Sequence, residues 1–95
     1  MQRIIWADEA KKALKFIHAY YKKKSVQGAN NVIRDLLEAP KTIRFSKQYQ
    51  LDDINPEYRR IIVRDYKVLY IEKKKEIQVM AIISTKQSPE ILRKK

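Results

Sequence analysis

Between Trp6 and about Lys24 the apolar residues Ala10, Ala13, Leu14, Ile17, Tyr20 and Tyr21 recur at three- and four-residue steps. That spacing lays one continuous stripe along a helix. Asp8 and Glu9 stand in its first turn and Lys22, Lys23 and Lys24 in its last, matching the helix dipole at both ends. Ser25 is placed to cap a second helix, in which Ala29, Val32, Ile33, Leu36 and Leu37 repeat the stripe until Pro40 stops it. Two amphipathic helices with so short a connection predict an antiparallel hairpin. Gly28, the chain's single glycine, falls inside the second helix, where it costs about 1 kcal/mol relative to alanine. A close approach of the two helices is one explanation, and chance is another.

Beyond Pro40 the pattern changes to strand chemistry. Thr42 to Gln50 alternates Ile43, Phe45 and, less cleanly, Tyr49, which predicts a strand. LDDINPE interrupts it, and Asp52–Asp53 is expected to end a strand or cap a turn there. Arg60 to Arg64, Lys67 to Lys73 and Glu76 to Ser84 are dense in β-branched and aromatic residues. The gaps at Asp65–Tyr66 and Lys74–Lys75 fit only hairpins, so these three strands form an antiparallel meander. Pro89 ends the last strand, and residues 90–95 add a helical turn or fray. The predicted fold is α+β: an N-terminal helical hairpin on a twisted, mostly antiparallel four-stranded sheet, as one domain over residues 1–95. Trp6 and Phe16 are assigned to the core, Tyr66 and Tyr70 to core or edge packing, and His18 to a partly exposed surface position.

Charge narrows the function. The chain has 95 residues with 22 Lys+Arg against 11 Asp+Glu, a formal net charge of +11. Such a balance favours acidic partners, namely nucleic acid, an acidic protein segment or an anionic membrane surface. No cysteine and one histidine leave no thiolate or zinc site and no His-based triad, so neither a metal nor a cofactor is expected. The longest apolar run, Val79 to Ile83, is far short of a membrane span, and no signal-peptide pattern opens the chain. Together with the missing cysteine this predicts a cytoplasmic protein without a membrane partner. Arg60, Arg64, Lys67 and Lys86 lie at strand ends that a meander brings near one edge, where they would bind phosphates or carboxylates. Solvated cations guarding sheet edges are the plainer reading of the same residues, and the plainer reading is preferred for Lys22–Lys24 and Lys73–Lys75.

The opening IIWADEAKKALKFIHAYY, the helix closing in LLEAP, and RRIIVRDYKVLYIEKKKEIQVMAII followed by STKQSP resemble the RelE/ParE superfamily of toxins from type II toxin–antitoxin modules, closer to the ParE-like, plasmid-stabilization branch. The resemblance implies a growth-arresting toxin neutralised by a cognate antitoxin that wraps an extended or helical segment around it. It further implies operator DNA contacts only through the antitoxin complex. RelE-like members cut ribosome-bound mRNA without a metal, whereas ParE-like members inhibit DNA gyrase. Carried over by position, Arg60 matches a basic strand residue, Lys67 replaces the arginine after the turn, and Lys86 with Gln87 stands where a last-strand arginine is expected. These three are the catalytic candidates if the chain is a ribonuclease. No aromatic residue or histidine follows Tyr70, so the C-terminal acid–base group of RelE-like members is missing. Cleavage by a 2′-hydroxyl needs a proton acceptor, a proton donor and charge stabilisation, and an ordinary lysine is a poor base at neutral pH. Gyrase inhibition is therefore the favoured reading, with ribosome-dependent mRNA cleavage and a non-toxic nucleic-acid-binding homologue as alternatives.

Overall fold

The computed structural model describes residues 3–86. The expectations for Gln87, Pro89 and residues 90–95 lie outside them. In chain order the elements are β1 (Arg3–Trp6), α1 (Asp8–Lys22), α2 (Val26–Glu38), two short 3₁₀ turns (Ala39–Thr42 and Ser46–Gln48), β2 (Arg59–Val63), β3 (Tyr66–Lys73) and β4 (Glu76–Ser84). The helices pack on one face of an open four-stranded sheet of order β1-β4-β3-β2. β4 pairs antiparallel with β3 and β3 with β2, while β1 joins β4 in parallel.

The helical hairpin forms as its sequence dictates. Ser25 Oγ accepts the Gly28 N–H at 2.9 Å, satisfying one of the free donors that open α2. His18 Nε2 and Asn30 Oδ1, 3.0 Å apart, join the two helices at positions four residues either side of their short connection, as an antiparallel hairpin requires. His18 is half-buried, as expected. Gly28 does not mark a close helix–helix approach, because a Cβ there would meet only the Ser25 side chain, at 3.4 Å.

Two expectations about strands need correction. The fourth strand is Arg3–Trp6, before α1, and not Thr42–Gln50. Ile4, Ile5 and Trp6 follow β4 residue for residue, Ile4 opposite Ile77 and Trp6 opposite Val79. The 42–50 segment satisfies its backbone locally instead. The Gln48 side chain accepts the Arg44 N–H at 2.7 Å and donates to the Thr42 carbonyl at 3.0 Å. Such side-chain bonds compete with a ladder. The first hairpin turn is also one residue earlier than expected. Val63 pairs with Tyr66 around Arg64–Asp65, with Arg64 at φ 54°, and Lys73 pairs with Glu76 around Lys74–Lys75, at φ 52° and 65°. Positive φ in two-residue loops suits the right-handed twist of the strands.

The core between helices and sheet holds Ala10, Ile17, Val32 and Leu36 against Ile61, Val68, Tyr70, Ile77 and Val79. Tyr66 and Tyr70 are buried as anticipated, and Trp6 packs partly buried against the cluster. Phe16 departs from expectation: it is 74% exposed. It sits one helical step from Ile17, about 100° round α1, and so misses the buried stripe.

Candidate functional site: the open sheet face and its edge

Alternation along the strands puts Arg60, Ile62, Lys67, Leu69, Ala81 and Ile83 on the face away from the helices, since these pair across the ladders while Ile61, Val68 and Ile82 face the core. Part of this face is covered. Leu69 is only 1% exposed although no helix lies over it. The segment 51–58 lies against β2 here: Leu51 bridges to Arg59, the Asp52 N–H donates to the Tyr58 carbonyl at 2.9 Å, and the Arg60 N–H reaches the Gln50 carbonyl at 3.1 Å. Upstream, the Tyr70 hydroxyl donates to the Ser46 carbonyl at 2.8 Å and Arg59 Nη1 to the Tyr49 carbonyl at 2.9 Å.

Asp52 is the centre of this arrangement. Its carboxylate is buried and accepts the Lys67 ammonium at 2.8 Å, with Arg60 Nη1 at 3.6 Å. Its other oxygen accepts the N–H groups of Ile54 at 3.2 Å and Asn55 at 2.8 Å. The turn-capping role expected of Asp52–Asp53 is present, and with it an ionic one. Burial pushes the Asp52 carboxyl up, but the Lys67 hydrogen bond, the Asn55 N–H and the attraction of the Lys67 charge outweigh it and hold it below its ordinary value.

Each of the four cations singled out in the sequence has a carboxylate, but only Arg60 and Lys67 are brought together. Arg60 and Lys67 converge on Asp52, their side chains 17% and 14% exposed, and Arg60 also reaches Asp53 at 3.5 Å. Arg64, in the turn, pairs with Asp35 of α2 at 2.7 Å. Lys86 pairs with Asp65 at 3.3 Å. Four positive charges thus face Asp35, Asp52, Asp53 and Asp65. Sequence reasoning found the cations and missed the partners, which come from distant segments. The one local signal was LDDINPE, an acidic turn placed just before the arginine strand.

Tyr66 and Tyr70 stay neutral phenols near neutral pH and are poor proton acceptors there. Burial, with the Tyr21 hydroxyl 3.4 Å away, raises Tyr66 far above the ordinary phenol value, and burial raises Tyr70 as well. Among the described residues no group of three or more His, Cys, Asp or Glu side chains could hold a metal ion, and no helix is long and apolar enough to cross a membrane.

Beside this charged end an open groove of about 750 Å³ separates α1 from β4, lined by Phe16, Tyr20, Ile54, Tyr66, Ile82 and Lys86 among others. β1 leaves β4 at Val79, where the Ala7 N–H bonds the Val79 carbonyl at 2.9 Å, but β4 runs on to Ser84. The Thr85 N–H bonds the Asp65 carbonyl at 2.7 Å. By the alternation of an antiparallel ladder, Ile83 then points its backbone groups toward β3, and Ile82 and Ser84 point theirs to the outer edge. The groove therefore has an apolar floor and a row of strand donors and acceptors along one wall.

The fold is a helical hairpin on one face of an open, mixed four-stranded sheet. The family model of the ParE toxin of type II toxin-antitoxin system, parDE, matches residues 4–89, and the chain belongs to that family. It is a type II toxin, and the family implies a cognate antitoxin. Among solved structures it is similar to a chain of the chromosomal ParDE TA system from P. aeruginosa, with TM-score 0.79 and 21% identity over 90% of this chain and 98% of that one. It is also similar to the isolated E. coli RelE toxin, with TM-score 0.53 and 16% identity over 99% and 95% of the two chains. At these identities the likeness shows the fold. No curated protein sequence matches the chain.

Proposed function

We propose that this toxin acts in the cytoplasm by inhibiting DNA gyrase and is not a ribonuclease. The observation that carries this reading is the Asp52 bridge. Arg60 and Lys67, the cations that would steady a phosphorane, are engaged by a buried carboxylate. Freeing them leaves that charge buried and unpaired, which costs several kcal/mol. The two sheet tyrosines are buried with raised pKa values, and no aromatic or histidine follows Tyr70. Asp52, the buried carboxylate beside those cations, is already engaged by them and by two backbone N–H groups, which supports a site without a free general base. Membership of the parDE family supports the same target.

The antitoxin segment is assigned to the groove between α1 and β4. Phe16 and Tyr20 offer apolar anchors, the Ile82 and Ser84 backbone offers a strand edge, and the +11 chain favours an acidic partner. Purified toxin added to a gyrase supercoiling reaction should stop supercoiling or trap cleaved DNA, and added antitoxin should relieve it. Unchanged supercoiling at large molar excess of a toxin that still arrests cells would exclude gyrase. Cleavage of translated mRNA, lost in Lys67→Ala, would then support the ribonuclease reading, which draws on Arg60 and Lys67 lying on one face.

A further inference from the structure

Because the cations at the sheet end are matched by carboxylates, the excess positive charge of this protein resides elsewhere. From residue 10 to residue 34 the chain contains no Asp or Glu but seven Lys and Arg. This stretch is almost the whole helical hairpin. Lys11, Lys15, Lys22, Lys23 and Lys24 are exposed, and none has an ion-pair partner among the described residues. The nearest acidic side chains on the two helices are taken: Glu9 by Lys12, and Asp35 by Arg34 and Arg64.

Helical geometry gathers three of these lysines. Lys11, Lys15 and Lys22 fall within about 40° of arc on α1 and span about 17 Å. His18 borders them and ties α1 to Asn30 of α2. Phe16 and Tyr20 lie about 140° away round α1, so this face and the antitoxin groove do not overlap.

We infer that the outer face of α1 is a nucleic-acid-binding surface that grips duplex backbone phosphates without reading base sequence. The chemistry of the face selects this partner. A protein interface of comparable affinity needs apolar or aromatic anchors at its centre, and the Lys11–Lys22 arc has none. A membrane-surface helix needs a wide exposed apolar face beside its lysines, whereas here the two exposed aromatics belong to the groove. Exposed ammonium groups in a row, without ion-pair partners among the described residues, suit phosphate oxygens. The stripe is long enough to follow about five base pairs of backbone at about 3.4 Å per step. The toxin would thereby contact DNA directly, in addition to any contact made through an antitoxin complex. This inference goes beyond the gyrase reading and does not depend on it.

The test is fluorescence anisotropy of a labelled 20-base-pair duplex of arbitrary sequence titrated with the full chain at about 50 to 200 mM salt. The triple variant Lys11→Gln/Lys15→Gln/Lys22→Gln is compared with Lys73→Gln/Lys74→Gln/Lys75→Gln, which removes the same charge from the β3–β4 turn. Wild type should bind with affinity falling steeply in salt, and a second duplex of different sequence should bind equally. The α1 triple should flatten the log–log salt slope by about 3, at roughly 0.9 per phosphate contact, and the turn triple should leave it within about 1. Matching thermal melts exclude unfolding, and Lys15→Glu alone provides a second, milder variant that should weaken binding. Absence of binding at the lowest salt, equal losses in both triples, or binding to anionic-lipid vesicles without binding to duplex would overturn the inference. Neither gyrase nor ribosome is present, so the result is separate from the target of the toxin.

Discussion

Lys67 Nζ lies 2.8 Å from Oδ1 of Asp52, whose side chain is fully buried although it belongs to a loop. The pair joins a strand of the sheet to a segment 15 residues earlier and fixes that segment across the open face. Removing the carboxylate strands Lys67 and Arg60 and frees the Ile54 and Asn55 N–H groups. Asp52→Ala should lower stability by about 3 kcal/mol, near the range for breaking a buried ion pair, and urea unfolding at pH 7 measures it.

The same carboxylate ties stability to pH. Its folded-state pKa is lowered, so its contribution is fully present above the unfolded value of about 3.9 and is lost as pH falls through the lower folded value. Urea midpoints should therefore drop more steeply below about pH 4 in wild type than in Asp52→Asn. Parallel curves for the two proteins would show that Asp52 is not a source of acid sensitivity.

At Gly28 a methyl group meets only ordinary contacts, at 3.4 Å from Ser25 Cβ and Oγ. Gly28→Ala should raise stability by about 0.5–1 kcal/mol through helix propensity, seen as a higher melting temperature. Lys74 and Lys75 present the opposite situation, with side chains held at φ 52° and 65°. Replacing them by Asn-Gly should stabilise the hairpin by about 1 kcal/mol on the same measurement, because those residues favour the turn's backbone conformation.

The meander, the helical hairpin and the Ser25 cap were legible because each depends on neighbours in sequence. β1 was not, since four residues, RIIW, carry no turn of their own and find their partner more than 70 positions later at Glu76–Val79. The 42–50 segment misled because Ile43, Phe45 and Tyr49 keep an approximate alternation while Gln48 closes the backbone on itself. At the site, strand ends pointed to Arg60, Arg64, Lys67 and Lys86. What cancels their charge comes from α2, the 51–58 segment and the first hairpin turn, and no spacing rule links those to the strands.

Phe16 separates docking from folding. Being 74% exposed, it contributes little to the core, so Phe16→Ala should change stability by no more than about 0.5 kcal/mol. Antitoxin affinity should fall at least tenfold, as for a truncated aromatic anchor, in a titration by calorimetry. Unchanged affinity would place the antitoxin elsewhere.

The claim that this toxin disables gyrase and does not cut RNA is tested most directly by inducing it in bacteria and following, in the same cells, DNA double-strand breaks and the 5′ ends of translated transcripts. Breaks with intact transcripts are the predicted result. New transcript ends within codons, with chromosomal DNA unbroken, would contradict it.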